Sequence, residues 1–204
     1  MLAFCLSLEA KAKPIRRGFY EGPYLTLSGG VLQFDWDINQ RTKVEEGHSF
    51  EPLLVLGFGW NINDWIAPEM QLRYSTNFNG GRREHIAAIN LGGAFTWIAK
   101  PLTDFRLWHI LPFIKPSFTV QVSSLPGDPL AADHRVTIVG VGPNIGGGIR
   151  FLFKDYLYLG IEVQDELLQQ SNKSQTLNPG GSNLIYAGGW KQQFLALGMV
   201  GIHF

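Results

Sequence analysis

Ile66-Ala67-Pro68-Glu69-Met70-Gln71-Leu72-Arg73-Tyr74-Ser75-Thr76-Asn77 decides how the rest of the 204-residue chain is read. Even positions carry Ile66, Pro68, Met70, Leu72, Tyr74 and Thr76. Odd positions carry Ala67, Glu69, Gln71, Arg73, Ser75 and Asn77. A period of two is the signature of a strand whose two faces meet different surroundings. One face here can meet lipid and the other cannot.

Working outward, the same alternation returns. Ile110 to Ser123 sets Ile110, Pro112, Ile114, Pro116, Phe118, Val120 and Val122 against Lys115, Ser117, Thr119, Gln121 and Ser123. Phe50 to Ile62 sets Phe50, Leu54, Leu56, Phe58, Trp60 and Ile62 against Glu51, Gly57, Gly59 and Asn61. Leu157 to Leu168 aligns Leu157, Leu159, Ile161 and Val163 opposite Glu162, Gln164 and Glu166. Val136 to Phe153 and His85 to Ile98 repeat the pattern with glycine and asparagine in the polar row. Tyr20 to Trp36 and Ile185 to Phe204 are less regular, and Gly29-Gly30 predicts a bulge in the first of them. The total is eight strands.

Between them, Asn61 to Trp65 and Lys154-Asp155 are tight, and Ala99 to His109 is intermediate. Asp37 to Ser49, Asn79 to Glu84, Ser124 to His134 and Ser171 to Asn183 are expected to be long polar loops. A hairpin meander of this kind leaves no place for helices or parallel strands.

Composition narrows the surroundings. Charged residues are 17% of the chain, below the roughly 25% of soluble domains. Lys plus Arg equals Asp plus Glu, 17 each, so no nucleic-acid partner is expected. No apolar run approaches the ~18 residues of a transmembrane helix. A closed barrel is the remaining way to span a bilayer, because it pairs every backbone donor and acceptor without water. The fold class expected is therefore all-β, an eight-stranded antiparallel up-and-down transmembrane barrel spanning 13–204. Aromatic residues near the strand ends predict two interfacial girdles, Trp60, Trp65, Trp97 and Trp108 with Tyr156 and Tyr158 by the short turns, and Trp36 and Trp190 by the long loops.

Residues 1–12 read as a signal peptide. Met1 to Leu8 is apolar apart from Ser7, and Ala10 and Ala12 offer small residues at the positions a signal peptidase reads. No basic residue precedes the apolar run, so translation is expected to start upstream. The single cysteine, Cys5, falls in this segment and leaves the mature chain free of thiols.

The last residues, Ala196 to Phe204, end in Phe204 with Ile202 and Val200 at alternate positions. This resembles the C-terminal signal of bacterial outer-membrane barrels, which the barrel-assembly machinery reads. Gly18-Phe19-Tyr20 through Trp36-Asp37 looks like the opening strand of OmpA-like, OmpW-like and opacity-type small barrels. Asn144-Ile145-Gly146-Gly147-Gly148-Ile149-Arg150 to Asp155-Tyr156-Leu157 is similar to their sixth strand, tight turn and seventh strand. The resemblance implies an outer-membrane location in a Gram-negative envelope, with outer-membrane lipids and lipopolysaccharide around a monomeric barrel.

The inward rows would gather Glu69, Arg73, Lys115, Arg150, Glu162, Glu166 and Lys191, four bases against three acids. An eight-stranded barrel is just wide enough for side chains to fill, so these charges are expected to pair into a plug. The expected role is structural or surface interaction. The alternatives are a narrow channel for small apolar molecules, as OmpW-like relatives suggest, a soluble lipocalin-like calyx with its apolar row inside, and a lipid-modifying enzyme. The last is carried by Gln169-Gln170-Ser171-Asn172, which resembles the lipid A acyl hydrolases, but Gln169 stands where those have the His that activates the serine. No catalytic, cofactor or metal residues are therefore assigned. His48, His85, His109, His134 and His203 lack metal-ligand spacing, and Gly140 to Gly148 does not complete a dinucleotide fingerprint.

Overall fold

In a computed structural model the chain is described at residues 21–40, 43–63, 65–79, 82–97, 108–126, 135–153, 156–171, 173–175, 184–186 and 188–204. The alternating stretches form strands β1 (Gly22–Gln40), β2 (Lys43–Asn61), β3 (Ile66–Asn79), β4 (Arg82–Thr96), β5 (Trp108–Pro126), β6 (Arg135–Phe153) and β7 (Leu157–Gln170). Two short strands follow, β8 (Lys173–Gln175) and β9 (Leu184–Tyr186), and then the long β10 (Gly189–His203). Each long strand pairs antiparallel with its chain neighbour, β7 pairs with β10, and β10 pairs with β1 from Tyr24↔His203 to Gln33↔Phe194. That last pairing closes an eight-stranded barrel, so no long strand is left with an open edge. No helix occurs among the described residues.

The strands run further than the alternation predicts. The stretch Asp37 to Ser49, expected as a loop, is a continued hairpin paired to Gln40↔Lys43. Asn79 to Glu84 is likewise paired, closing at Asn79↔Arg82. Alternation reports unequal faces, and it fades where the sequence turns polar, while backbone pairing needs no such contrast. The last strand is also shorter than expected. Ile185 belongs to β9, which pairs with β8 and with the far end of β1 at Ile38↔Tyr186. β10 opens on Gly189, whose φ of 141° is a conformation that side chains other than hydrogen rarely allow. The expected bulge at Gly29-Gly30 is absent: the register runs unbroken through both residues against β2 and β10.

The apolar rows face outward. Leu56, Phe58, Leu72, Ile89, Leu91, Phe118, Val120, Ile145, Ile161 and Val200 are exposed, whereas Glu69, Gln71, Arg73, Lys115, Gln121, Glu162 and Gln164 are buried. This inverts the soluble arrangement and removes the calyx alternative, which needs its apolar rows inside. The interior is not wholly polar. Tyr24, Ala67, Ala94, Leu111, Leu152 and Tyr158 form an apolar layer toward the short connections. Leu32, Leu53, Val55, Ile86, Ile138, Leu195 and Leu197 form a second one toward the other rim. Tyr158, expected in a girdle, belongs to the first layer and packs edge-on against Tyr24 at 5.9 Å.

Tight wall curvature is bought with glycine at close backbone approaches. A β-carbon at Gly148 would overlap the carbonyl oxygen of Ile161 on β7. Gly148→Ala is therefore expected to destabilise the barrel by about 1–3 kcal/mol. Gly93→Ala, where the nearest atom is 3.8 Å away, is expected to change little. Urea unfolding of the two variants in vesicles checks the contrast.

Candidate functional site

Between the two apolar layers the inward rows of β3, β5, β6 and β7 converge. Glu69 is the hub. Its Oε2 accepts from the Tyr24 hydroxyl at 2.6 Å and from Arg150 Nη2 at 2.8 Å, and its Oε1 accepts from Lys115 Nζ at 3.1 Å and Gln71 Nε2 at 2.9 Å. Lys115 also pairs with Glu162. Gln164 then links Glu162 at 2.7 Å to Gln71 at 3.0 Å, and accepts from Asn144 at 2.8 Å. Asn144 donates onward to Glu166, which holds Arg73 Nη1 at 2.7 Å and the Thr119 hydroxyl at 2.8 Å.

The strand period makes this convergence possible, because Glu69, Gln71, Arg73 and Ser75 share one face of β3. Room for it comes from small inward residues. A β-carbon at Gly59 on β2 would overlap the ring of Tyr24, and one at Gly146 on β6 would come within 3.1 Å of Glu162 Oε1. Arg150 is packed as well as paired: its guanidinium lies 4.3 Å from the Phe113 ring centre and 5.3 Å from that of Tyr24.

Six of the seven residues expected in the interior network, Glu69, Arg73, Lys115, Arg150, Glu162 and Glu166, are buried and joined in this one lattice. They are three acids and three bases. The seventh, Lys191, is half-buried higher on β10, opposite Leu168. Two acids were missed. Glu51 and Glu84 are buried, and Glu51 accepts a hydrogen bond from Ser75 at 2.9 Å. The ratio of four bases to three acids is thus corrected: five buried glutamates stand with three buried bases among the described residues. The alternation already put Glu51 in the polar row, whereas Glu84 fell in a stretch read as loop. Tyr24 was missed because β1 alternates poorly.

Outside the barrel, Trp60, Trp65 and Trp97 are exposed near the short connections, and Trp190, Phe50 and Tyr74 are exposed near the opposite rim. The side chains of Trp36 and Trp108 lie outside the described residues, as do Ala10, Ala12 and the rest of residues 1–20. Val200, Ile202 and Phe204 are exposed. Ser171, the serine of the hydrolase alternative, has its hydroxyl taken up locally, accepting from the backbone N–H of Val139 at 3.2 Å. No group of three or more metal-ligating side chains occurs among the described residues.

Solved structures with this architecture include Neisserial surface protein A, with a TM-score of 0.60 at 10% identity over 90% of this chain and 97% of that one. The N-terminal β-barrel domain of Pseudomonas aeruginosa OprF matches with a TM-score of 0.52 at 12% identity, over 92% and 100%. This chain has the fold of the small outer-membrane β-barrels. At such identities the likeness is one of fold, and it covers the closed eight-stranded wall and its meander order. No family model matches the chain, and no curated protein matches it in sequence.

Proposed function

We propose that the protein is an integral outer-membrane barrel with a structural or surface-interaction role, its wall set in lipid and its bore closed by the charged lattice. The observation that carries this reading is the inverted polarity: continuous exposed apolar rows outside, paired charges inside. A bilayer stabilises that arrangement, and water does not. The two sets of exposed aromatic residues near opposite rims suit the two lipid–water boundaries. The fold shared with outer-membrane barrels supports the location. Lipids of that membrane, including lipopolysaccharide, are then the neighbours of the wall. The outward, exposed Val200, Ile202 and Phe204 support a role as the segment the assembly machinery grips.

A plug is favoured over a channel because the lattice is flanked by an apolar layer on either side. The role is taken to be non-catalytic. Three measurements test the proposal. The folded protein should resist alkaline extraction from membranes and migrate differently on gels before and after boiling. In planar bilayers it should give no steady conductance. Release by alkali would overturn the membrane reading, and a stable open level would overturn the plug.

A further inference from the structure

The outward row of β7 carries a residue that does not belong in hydrocarbon. Asp165 follows Ile161 and Val163 and precedes Leu167, and its register partners are Ile145 on β6 and Phe194 on β10. All five of these neighbours are exposed apolar side chains. Gln192, two places from Phe194 on β10, donates to both carboxylate oxygens of Asp165 at 3.0 Å. An ionised carboxylate accepts up to about four hydrogen bonds, and acyl chains supply none. An ionisable group at membrane depth is costly unless it is paired.

Beyond Phe194 the wall dips, with the exposed Val31 on β1 at the edge of the dip. Gly198 and Ala196 on β10 share the outward row of Gln192, and Gly198 pairs with Gly29 on β1. A β-carbon at Gly29 would meet nothing within 4 Å, and one at Gly198 only the Gly29 carbonyl oxygen at 3.9 Å. The register partners of Gly198 and Ala196 on β7 are Ile161 and Val163, which stand 62% and 63% exposed. A shallow groove therefore lies directly alongside a ridge.

We propose that this face, β7–β10–β1, binds a second copy of the chain. Ridge beside groove and donor beside acceptor form a self-complementary surface. A two-fold axis along the bilayer normal sets the ridge of each copy in the groove of the other. It also lets the second N–H of each Gln192 amide reach the Asp165 carboxylate of the partner copy. Small residues and polar side chains are what bring membrane segments together where lipid removes the hydrophobic drive. A second copy brings a Gln192 amide donor to each Asp165 along with its own carboxylate, whereas an anionic headgroup brings only charge of the same sign, and this favours a second copy. The proposal rests on the reading that this wall faces lipid, and it departs from the monomer expected from sequence.

The test is dimer formation by the full chain in phospholipid vesicles, counted by single-molecule photobleaching across a range of protein-to-lipid ratios. Wild type should show two copies per spot as the ratio rises. Gly198→Leu, which fills the groove, and Asp165→Leu, which removes the acceptor, should each weaken the dimer by roughly tenfold. Gly93→Leu, an equal change on β4, should leave it intact. Asp165→Leu should also unfold at higher urea than wild type, so its loss of dimer cannot be read as a folding defect. Single copies at every ratio, or variants that associate like wild type, would overturn the dimer. Flotation of the same vesicles separates the two readings: protein that floats as single copies removes only the dimer, and protein that fails to float removes the membrane reading beneath it.

Discussion

Glu69→Ala is expected to destabilise the barrel by about 3–5 kcal/mol, the cost of leaving buried charge uncompensated. Glu69 holds Lys115 and Arg150 at once, and both are buried. Of its hydrogen bonds in this cluster Arg150 would keep the one to the Tyr24 hydroxyl, 3.4 Å away, with the charge of Glu162 and the ring faces nearby. Lys115 would keep Glu162. The loss should therefore exceed that of Arg73→Ala, because Glu166 would retain donors from Thr119 and Asn144. Glu69→Gln preserves shape and should still lose most of the stability, since the missing quantity is charge. Urea unfolding in vesicles, followed by tryptophan emission, measures all three. Equal, small losses would mean the lattice contributes little to the fold.

Leu72→Arg should cost about 2–4 kcal/mol in a bilayer. Leu72 is exposed on β3, with Leu56 beside it on β2 and Ile89 on β4, and it stands one outward place inside Tyr74. A guanidinium there would have apolar Leu56 and Ile89 on either side and acyl chains in front of it. Phe50→Arg near the rim should cost about 0–1 kcal/mol, because the long side chain reaches headgroups. On a water-facing surface neither change would matter, so the depth dependence is the informative part. Equal unfolding midpoints for Leu72→Arg and wild type in vesicles would place the row in water.

The parts of this fold that the sequence made legible are those where the two faces of a strand meet different solvents. Ile66 to Asn77 and Ile110 to Ser123 alternate because lipid selects one row and the packed bore the other, so their neighbours and their inward charges could be read directly. The hairpin ends at Gln40↔Lys43 and Asn79↔Arg82 were not legible, because backbone pairing leaves no mark on side-chain polarity once the contrast between faces ends. Glu84 was lost with that segment. Ile185 was assigned to the last strand, but it lies in β9, and β10 starts only at Gly189. The inward apolar residues Leu53, Val55 and Ile86 were equally silent, since polar rows that admit leucine blur the pattern. Asp165 was visible by parity alone, as the residue two places beyond Val163. Its partner Gln192 was not, because cross-strand register comes from pairing and cannot be counted along one chain.

The sidedness of the wall can be measured most directly with nitroxide labels. In a Cys5→Ser background, single cysteines at Met70, Leu72 and Ile89 would be labelled in vesicles, with Ser171 at the loop end as the aqueous reference. The three wall positions should relax more with dissolved oxygen, which concentrates in hydrocarbon, than with a water-soluble nickel chelate, and Ser171 should do the reverse. Wall labels that answer to nickel as strongly as Ser171 would contradict a lipid-facing apolar surface.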